Sequence, residues 1–452
     1  MTRFVILGSG PLGSIICHYL LNKNHQVTLI DNSEITRSNN NSKFTLKKVE
    51  ENIFSDFYIN NKKGKQALPV GSKNKGGFSQ VWGGTLSELS EKDLVQWKLN
   101  YTELIPYFDY IIENLNLKIR REEQKLISEF DNYDLIAENM FNLLLNQPKE
   151  EIFFEKSKLF INDKDEMWNS RDTITHLKKQ FPEFEYISNF EVTKISQTGD
   201  VINIVSKKDS LIFKNSKLIV ATGPFPSSYL CSNLMSADSF KVQSSDLRVF
   251  PILWLGKKSK LESKKVFPQI FLNYCNELGN VSRGQIYILN KQIISSLGKD
   301  VATPVIYSLK LLNRLLKNRI ALLFLYEHSY NSTSYEFQNL NDKINTIAVE
   351  KRKNISIFRL LTSFYKKVFR YKLAFIPVYK KFETYGSFHL GSTSFKIEGS
   401  YRQDFNEDGS LKDYPDIHFV DSILFQNVPS GPTTFLSMAL GLNTTNKIIN
   451  NL

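Results

Sequence analysis

The sequence predicts an α/β protein, and three observations predict it. Residues 4–31, "FVILGSGPLGSIICHYLLNKNHQVTLID", read as an apolar strand, a glycine-punctuated turn, an apolar helix and a second strand. Residues 218–230, "LIVATGPFPSSYL", repeat the first half of that pattern: an apolar strand runs into Ala221, Thr222 and Gly223, then into a helix start. Further along, "VFPILWL", "FPQIFLNY", "GQIYILN" and "IALLFLYEHSYNSTSYEF" alternate as the strands of a sheet do.

The first of these stretches carries the most chemistry. Gly8, Gly10 and Gly13 stand in G-x-G-x-x-G spacing. Gly8 allows the tight turn, Gly10 lets the backbone approach a pyrophosphate, and Gly13 lets the helix close on the sheet. Pro11 and Leu12 open the helix whose N-terminus faces the phosphates. Asp31, 18 residues past Gly13 and at the end of the second strand, is placed to accept hydrogen bonds from a ribose diol. The fingerprint predicts a dinucleotide site without choosing between NAD and FAD, which share the same adenosine diphosphate.

The stretch "GGFSQVWGG", residues 76–84, sets four glycines around one large ring. Glycine is selected where the chain turns through positive φ or where another group lies directly on the main chain. A mobile surface loop would be richer in Ser, Asn, Asp and Lys than in Trp. The composition therefore points to a flat group held close to the backbone.

The 452 residues are too many for one compact core of ordinary size, so one large or two interleaved domains are expected. With 41% apolar and 23% charged residues, the chain has the material of a folded protein. Its cysteines, Cys17, Cys231 and Cys275, form no C-x-x-C pair, which argues against a zinc site or disulfide framework and for a reducing, cytoplasmic setting. The start "RFVILGSG" lacks the basic and apolar regions of a secretory leader, and no run of about 18 apolar residues occurs, so neither export nor a membrane span is expected. The net charge of +12 is spread among scattered lysines that alternate with Asn, and no nucleic-acid partner is predicted from it. From Lys351 to Lys381 ten basic residues occur with no acidic one, mixed with Phe, Tyr, Leu and Ile. This suits a basic amphipathic helix at an anionic inner membrane face, and equally an ordinary helix with its lysines in water.

Three separated blocks give the chain a family resemblance. They are Gly8 to Asp31; "GGFSQVWGGTLSELSEKDLVQWKLNYTELIPYFDYIIENL", with Asp93, Trp97, Tyr101, Leu104, Pro106, Tyr107 and Phe108; and "GSFHLGSTSF" followed by "IHFVDSILFQNVPSGPTTFLSMALG". Together they resemble the glucose/methanol/choline (GMC) oxidoreductases, FAD-dependent enzymes that oxidise alcohols and sugars. The A-T-G strand after a long insertion favours FAD over NAD in the same way. The resemblance implies a Rossmann-like FAD-binding domain interleaved with an α+β substrate domain that contains an antiparallel sheet. On that basis residues 1–110, 186–235 and 385–452 build the FAD domain, 111–185 a helical insertion that is part of the substrate region, and 236–384 the substrate domain. The stretch "ISNFEVTKI", residues 187–195, is expected as a strand that brings Glu191 and Val192 past the adenine.

For the cofactor the resemblance implies Gly76, Gly77, Ser79, Gln80, Gly83 and Gly84 along the flavin, Val192 by the adenine, Ala221, Thr222 and Gly223 packed near the cofactor, and Asp421 near the ribityl or diphosphate part through its adjoining backbone. Trp82 stands where many members carry Asn. Alcohol oxidation needs a base whose pKa lies near the working pH, which favours histidine. Of six histidines, His18, His25, His176, His328 and His418 fall on structural elements, and His389 in "SFHLGS" falls in the family's catalytic block. Most members place that histidine three residues before the turn glycine, where this chain has Phe388, with His389 two before Gly391. The partner His or Asn of the family falls on Gly431 or Pro432.

The expected activity is FAD-dependent oxidation of a small alcohol or sugar hydroxyl, with oxygen or another compound as electron acceptor. Two alternatives remain open from the sequence: a redox-neutral flavin enzyme acting on an activated or lipid-linked sugar, and a flavin-binding protein whose catalytic pair has decayed.

Overall fold

A computed structural model describes residues 2–33, 72, 74–80, 84–87, 101–122, 125–133, 135–145, 151–257, 267–275, 281–290, 319–340, 343–350, 355–375, 380–382 and 390–452. His389, Phe388, Trp82, Gly83, Asp93 and Trp97 lie outside the described residues, as do parts of 351–381.

One six-stranded sheet organises half of the molecule. Its order is Ser410–Leu411, Tyr414–Phe419, Ser216–Val220, Arg3–Leu7, Gln26–Ile30, Glu185–Ile187. Every neighbouring pair is parallel except the first. The central strands are near-continuous apolar runs because both faces are covered, as parallel sheets require. Phe4 and Ile6 enter the core on one face and Val5 and Leu7 the core on the other. Each such fully buried Ile or Leu stabilises the fold by roughly 1.5–3 kcal/mol.

The first face is covered by the helices Pro11–Asn22, Tyr101–Asn114, Ser170–Gln180 and Thr434–Asn450. Pro11 opens the first helix at a position where its missing N–H costs nothing. The opposite face carries the helix Pro224–Leu234 and a three-stranded antiparallel sheet of Val192–Thr198, Val201–Ser206 and Ser210–Lys214.

Two further large antiparallel sheets follow, alongside two two-stranded pairs, Thr85–Leu86 with Lys158–Leu159 and Ile119–Glu122 with Lys125–Ser128. A seven-stranded sheet runs Leu373–Phe375, Leu247–Trp254, Ile320–Tyr326, Val281–Ile288, Ile270–Cys275, Ile152–Lys156, with Lys380–Phe382 also on Leu247–Trp254. The stretches "VFPILWL", "FPQIFLNY" and "GQIYILN" fall on it, whereas "IALLFLYEHSYNSTSYEF" divides: Ile320–Tyr326 lies on this sheet and Ser334–Leu340 on a different one. Leu272, Ile286, Leu323 and Ile252 face a core shared with the helices Leu135–Leu144 and Ile355–Tyr371. A five-stranded sheet runs Lys343–Glu350, Ser334–Leu340, Ser239–Ser244, Leu390–Ile397, Ser400–Arg402. Among the described residues no helix is long and apolar enough to cross a membrane.

Three expectations need correction. The stretch 187–195 is not one strand: Ile187 ends a strand of the parallel sheet, and Val192 begins one in a different sheet. Asn189 breaks the run by turning through φ +58°. His328 lies just past its strand, not on it, and caps a short turn by accepting the Tyr330 N–H at 3.3 Å. The stretch 111–185 is mixed rather than helical: Ile152–Lys156 edges the seven-stranded sheet and Glu185–Ile187 the parallel one.

Two expected outcomes follow from this packing. A Cβ on Gly13 would sit 1.9 Å from the carbonyl oxygen of Gly8, so backbone must move. Gly13→Ala is expected to destabilise the fold by about 2 kcal/mol or more, read as a lower Tm. Burial, with a contribution from the charge of His176, holds His18 down at about 4 from its ordinary 6.5, while its Nδ1 pairs with the Tyr110 hydroxyl at 2.7 Å. The unfolded chain therefore takes up this proton first as pH falls. The stability that neutral His18 contributes is complete above pH 6.5 and is lost toward pH 4. Against His18→Gln, the native protein should lose on the order of 1–3 kcal/mol more between those limits in chemical denaturation.

Candidate functional site

The site lies at the carboxyl ends of the parallel strands, where the chain order reverses. From Arg3–Leu7 the chain proceeds to Gln26–Ile30 on one side, while Ser216–Val220 returns on the other. Such a switch point leaves a crevice above the strand ends. Three segments leave the sheet there: Gly8–Ser9–Gly10, Ala221–Thr222–Gly223 and Val420–Asp421. They are tied in register, Ala221 N–H donating to Leu7 O at 2.9 Å and Val420 N–H to Val220 O at 3.2 Å.

The glycines of the first turn divide into two kinds. Gly8 has φ +99°, and a Cβ there would lie 2.6 Å from the carbonyl oxygen of Ala221. Gly8 and Gly13 are therefore glycines because protein backbone presses on them. Around the Cβ position of Gly10, by contrast, nothing among the described residues lies within 4 Å, and the same holds for Gly223. Glycine is not needed at Gly10 for packing, and the open space lies directly over the start of the Pro11–Asn22 helix. Among the described residues no side chain caps that helix. Leu12, in its first turn, is buried against Gly441 of the C-terminal helix and fixes its position.

The glycine-rich loop lies on this turn. The Gly76 N–H donates to Ser9 Oγ at 2.9 Å, and a Cβ on Gly77 would come within 3.3 Å of Gly10 Cα. The Ser9 hydroxyl in turn donates to Asp31 Oδ2. Residues Gly77–Gln80 form a single 3-10 turn. Ser79 is buried inside it, donating to Gly76 O at 2.6 Å and accepting the Ser170 N–H at 2.9 Å, so its hydroxyl fastens the loop to the helix Ser170–Gln180.

Asp31 is reached from several elements. Tyr186 donates its hydroxyl to Oδ2 at 3.3 Å, and its own hydroxyl pairs with Ser33 Oγ at 2.6 Å. Burial raises the Asp31 pKa, opposed by the hydroxyls of Ser9, Ser33 and Tyr186. The backbone of residues 187–190 wraps this group, Asp31 N–H donating to Ile187 O at 2.9 Å and Phe190 N–H to Asp31 O at 3.0 Å. Val192 follows, half-buried, at the head of its strand.

Asp421 holds the other two segments together. It accepts the Gly223 N–H at 3.0 Å, the Ile423 N–H at 3.1 Å and the Ser227 hydroxyl. Burial pushes its pKa up to about 6 against those three donors. Thr222 Oγ1 shares a hydrogen bond of 2.9 Å with Ser227 Oγ. Next to this pin, Leu390 O accepts the Ser422 hydroxyl at 3.0 Å, and a Cβ on Gly391 would lie 2.7 Å from Ser422 O.

The sequence reading missed a group of residues on the seven-stranded sheet. Asn273, Arg283 and Tyr326 are direct neighbours across three strands, with Gln285 on the same face. All four are buried. The Tyr326 hydroxyl donates to Gln285 Oε1 at 3.2 Å. Arg283 reaches the loop before the C-terminal helix, its Nη1 donating to Ser430 O at 3.1 Å. The alternation R-G-Q-I-Y-I of residues 283–288 could have found it, had the strand been read from Val281 rather than Gly284.

A parallel sheet reversing at a glycine-lined turn, beside a large antiparallel sheet, defines a two-part α/β fold with open space at the start of its first helix. The same fold is found in the crystal structure of pyridoxine 4-oxidase from Mesorbium loti, with a TM-score of 0.69 and 12% sequence identity over 100% of this chain and 99% of that one. No protein-family profile and no curated protein matches the sequence.

The open space at Gly10 gives a direct test of its use. Gly10→Val should fold with a Tm close to that of the native protein and lose retention of a dinucleotide cofactor. A variant that retains the cofactor at full stoichiometry would show that the opening is not the diphosphate site.

Proposed function

We propose that the protein is an FAD-dependent oxidoreductase, a divergent member of the GMC family, that oxidises an alcohol or sugar hydroxyl. One observation carries the reading: the Gly76–Gly77 backbone lies directly on the Gly8–Gly13 turn, tied through Ser9 to Asp31. This brings a glycine-rich loop, suited to a flat ring system, against a turn suited to a diphosphate. The full-length likeness in fold to an enzyme named pyridoxine 4-oxidase supports an oxidase or dehydrogenase.

In this reading the parallel sheet is a Rossmann-like domain. The space at Gly10 and the uncapped first helix hold the diphosphate. Asp31 accepts the adenosine ribose hydroxyls, and Ala221, Thr222, Gly223, held by Asp421, close the far side of the crevice. Gly76, Gly77 and Gln80 present backbone to the isoalloxazine, and Ser79 keeps that loop in place. Bound FAD supplies the hydride acceptor, flavin N5. The chain supplies the base: His389 takes the hydroxyl proton from the substrate as the carbonyl forms. The antiparallel sheets form the substrate part, and a cytoplasmic protein is the setting that fits. Electrons leave to oxygen or to another acceptor.

An anaerobic screen of alcohols and sugars tests this reading. A substrate should bleach the bound flavin, and His389→Ala should retain FAD while reduction slows by about 100-fold or more. Unchanged reduction in that variant would remove His389 from the mechanism, and a loaded protein that no alcohol bleaches would overturn the assigned reaction.

A further inference from the structure

We propose that one end of the seven-stranded sheet, together with the outward face of the helix Ile355–Tyr371, docks on an anionic phospholipid surface. This interaction is separate from the oxidoreductase reading and does not depend on it.

The strand order brings several chain segments to that end. Leu253 pairs with Ile320, Ile288 with Ala321, and Trp254 with Leu373. The strand Leu247–Trp254 therefore ends where Ile320–Tyr326 and Leu373–Phe375 begin. The chain just outside is basic: Lys257 follows the first of these strands, Arg319 precedes the second and Lys372 the third. Backbone joins them directly, the Leu255 N–H donating to Lys372 O at 2.7 Å and the Trp254 N–H to Arg319 O at 2.8 Å.

The helix Ile355–Tyr371 runs into Lys372 and so belongs to the same end. Leu360 and Tyr371 are each 1% exposed and join the core on the sheet, Tyr371 standing edge-on to Phe154 at 5.5 Å. The apolar side of the helix is thus covered by protein and is not available to sink into a bilayer. Its outer side carries Arg359 and Lys366, seven residues and so about two turns apart, both exposed. Beside them stands Tyr365, 54% exposed, and at the strand end Leu255, 40% exposed.

Charge complementarity selects the partner. No Asp or Glu occurs in residues 254–257, 267–272, 286–290, 319–323 or 355–375, which make up this end and the helix. Among the described residues Arg359, Lys366, Lys372 and Lys257 find no ion-pair partner. The acid that does touch the helix, Glu151, accepts the hydroxyl of the buried Ser363 at 2.9 Å. Each basic side chain held near an anionic lipid surface raises partitioning by roughly fivefold. The exposed leucine and tyrosine favour lipid over nucleic acid: a bilayer interface takes up an aliphatic chain and a ring among basic groups, whereas a phosphate backbone rewards the charges alone. The other end of the sheet, where Leu247 pairs with Tyr326 and Arg283, lies roughly 20 Å away at the rise of a strand. Docking therefore leaves that end, with its buried polar residues, facing away from the lipid.

Flotation of the full-length protein with vesicles tests the proposal, read as protein in the floated fraction so that flavin content does not enter. Vesicles of equal parts phosphatidylglycerol and phosphatidylcholine should carry the protein, and phosphatidylcholine alone should not. Arg359→Glu combined with Lys366→Glu should reduce binding by at least about tenfold. Lys208→Glu combined with Lys214→Glu makes the same change of charge at exposed positions near the two ends of the strand Ser210–Lys214, and should bind as the native protein does. Leu255→Ser combined with Tyr365→Ser leaves the charge unchanged and should weaken binding by about threefold or more. All six positions are exposed, so the variants carry little risk to folding. Equal losses in the two charge-reversal variants would show attraction by net charge alone and overturn the docking face, as would flotation with neither vesicle or equally with both. A single-stranded oligonucleotide that binds more tightly than the anionic vesicles, with no effect of Leu255→Ser and Tyr365→Ser, would assign the face to nucleic acid and overturn the lipid partner.

Discussion

Contact of backbone on backbone at the end of the first strand is the constraint on which the rest of the structure depends. Gly8 lies against Ala221, Gly13 against Gly8, and Gly77 against Gly10, so three distant segments meet where no side chain intervenes. Each contact fixes an element: the first helix on the sheet, the returning strand beside the first, and the glycine-rich loop over the turn. Burial supplies the stability, with both faces of the parallel sheet covered. The glycine contacts decide which arrangement that stability selects.

The polar groups reinforce the same arrangement. Ser9 links the loop to Asp31, Ser79 links it to the helix Ser170–Gln180, and Asp421 links Gly223 to the last strand of the sheet. Most of these side chains bond to protein and not outward into the crevice. The surface left for a ligand is largely main chain, which suits a diphosphate and a planar ring better than a small polar solute. The seven-stranded sheet differs in kind, since its buried polar face offers side chains rather than backbone.

The parts legible in the sequence are those where geometry restricts residue identity. The G-x-G-x-x-G turn, the A-T-G strand end and the apolar strands were readable because close approach demands glycine and two-sided burial demands Val, Ile and Leu. Of the antiparallel strands, those in "VFPILWL", "FPQIFLNY" and "GQIYILN" were readable from alternation. The break in 187–195 was not, because Asn189 adopts a left-handed conformation that its neighbours do not announce. Nor was the role of Ser79, whose partner Ser170 lies 91 residues away. Arg283 was hidden for a related reason: a basic residue at a strand end reads as solvated until the loop that covers it, residues 430 and 431, is placed in space.

The central claim is that the crevice over Gly10 is a flavin site, and the visible absorption spectrum of the purified protein tests it most directly, followed by denaturation to identify what is released. The account predicts a flavin band and release of free, non-covalently bound FAD. A colourless protein that takes up no FAD on reconstitution would contradict it, leaving a dinucleotide-like fold put to another use.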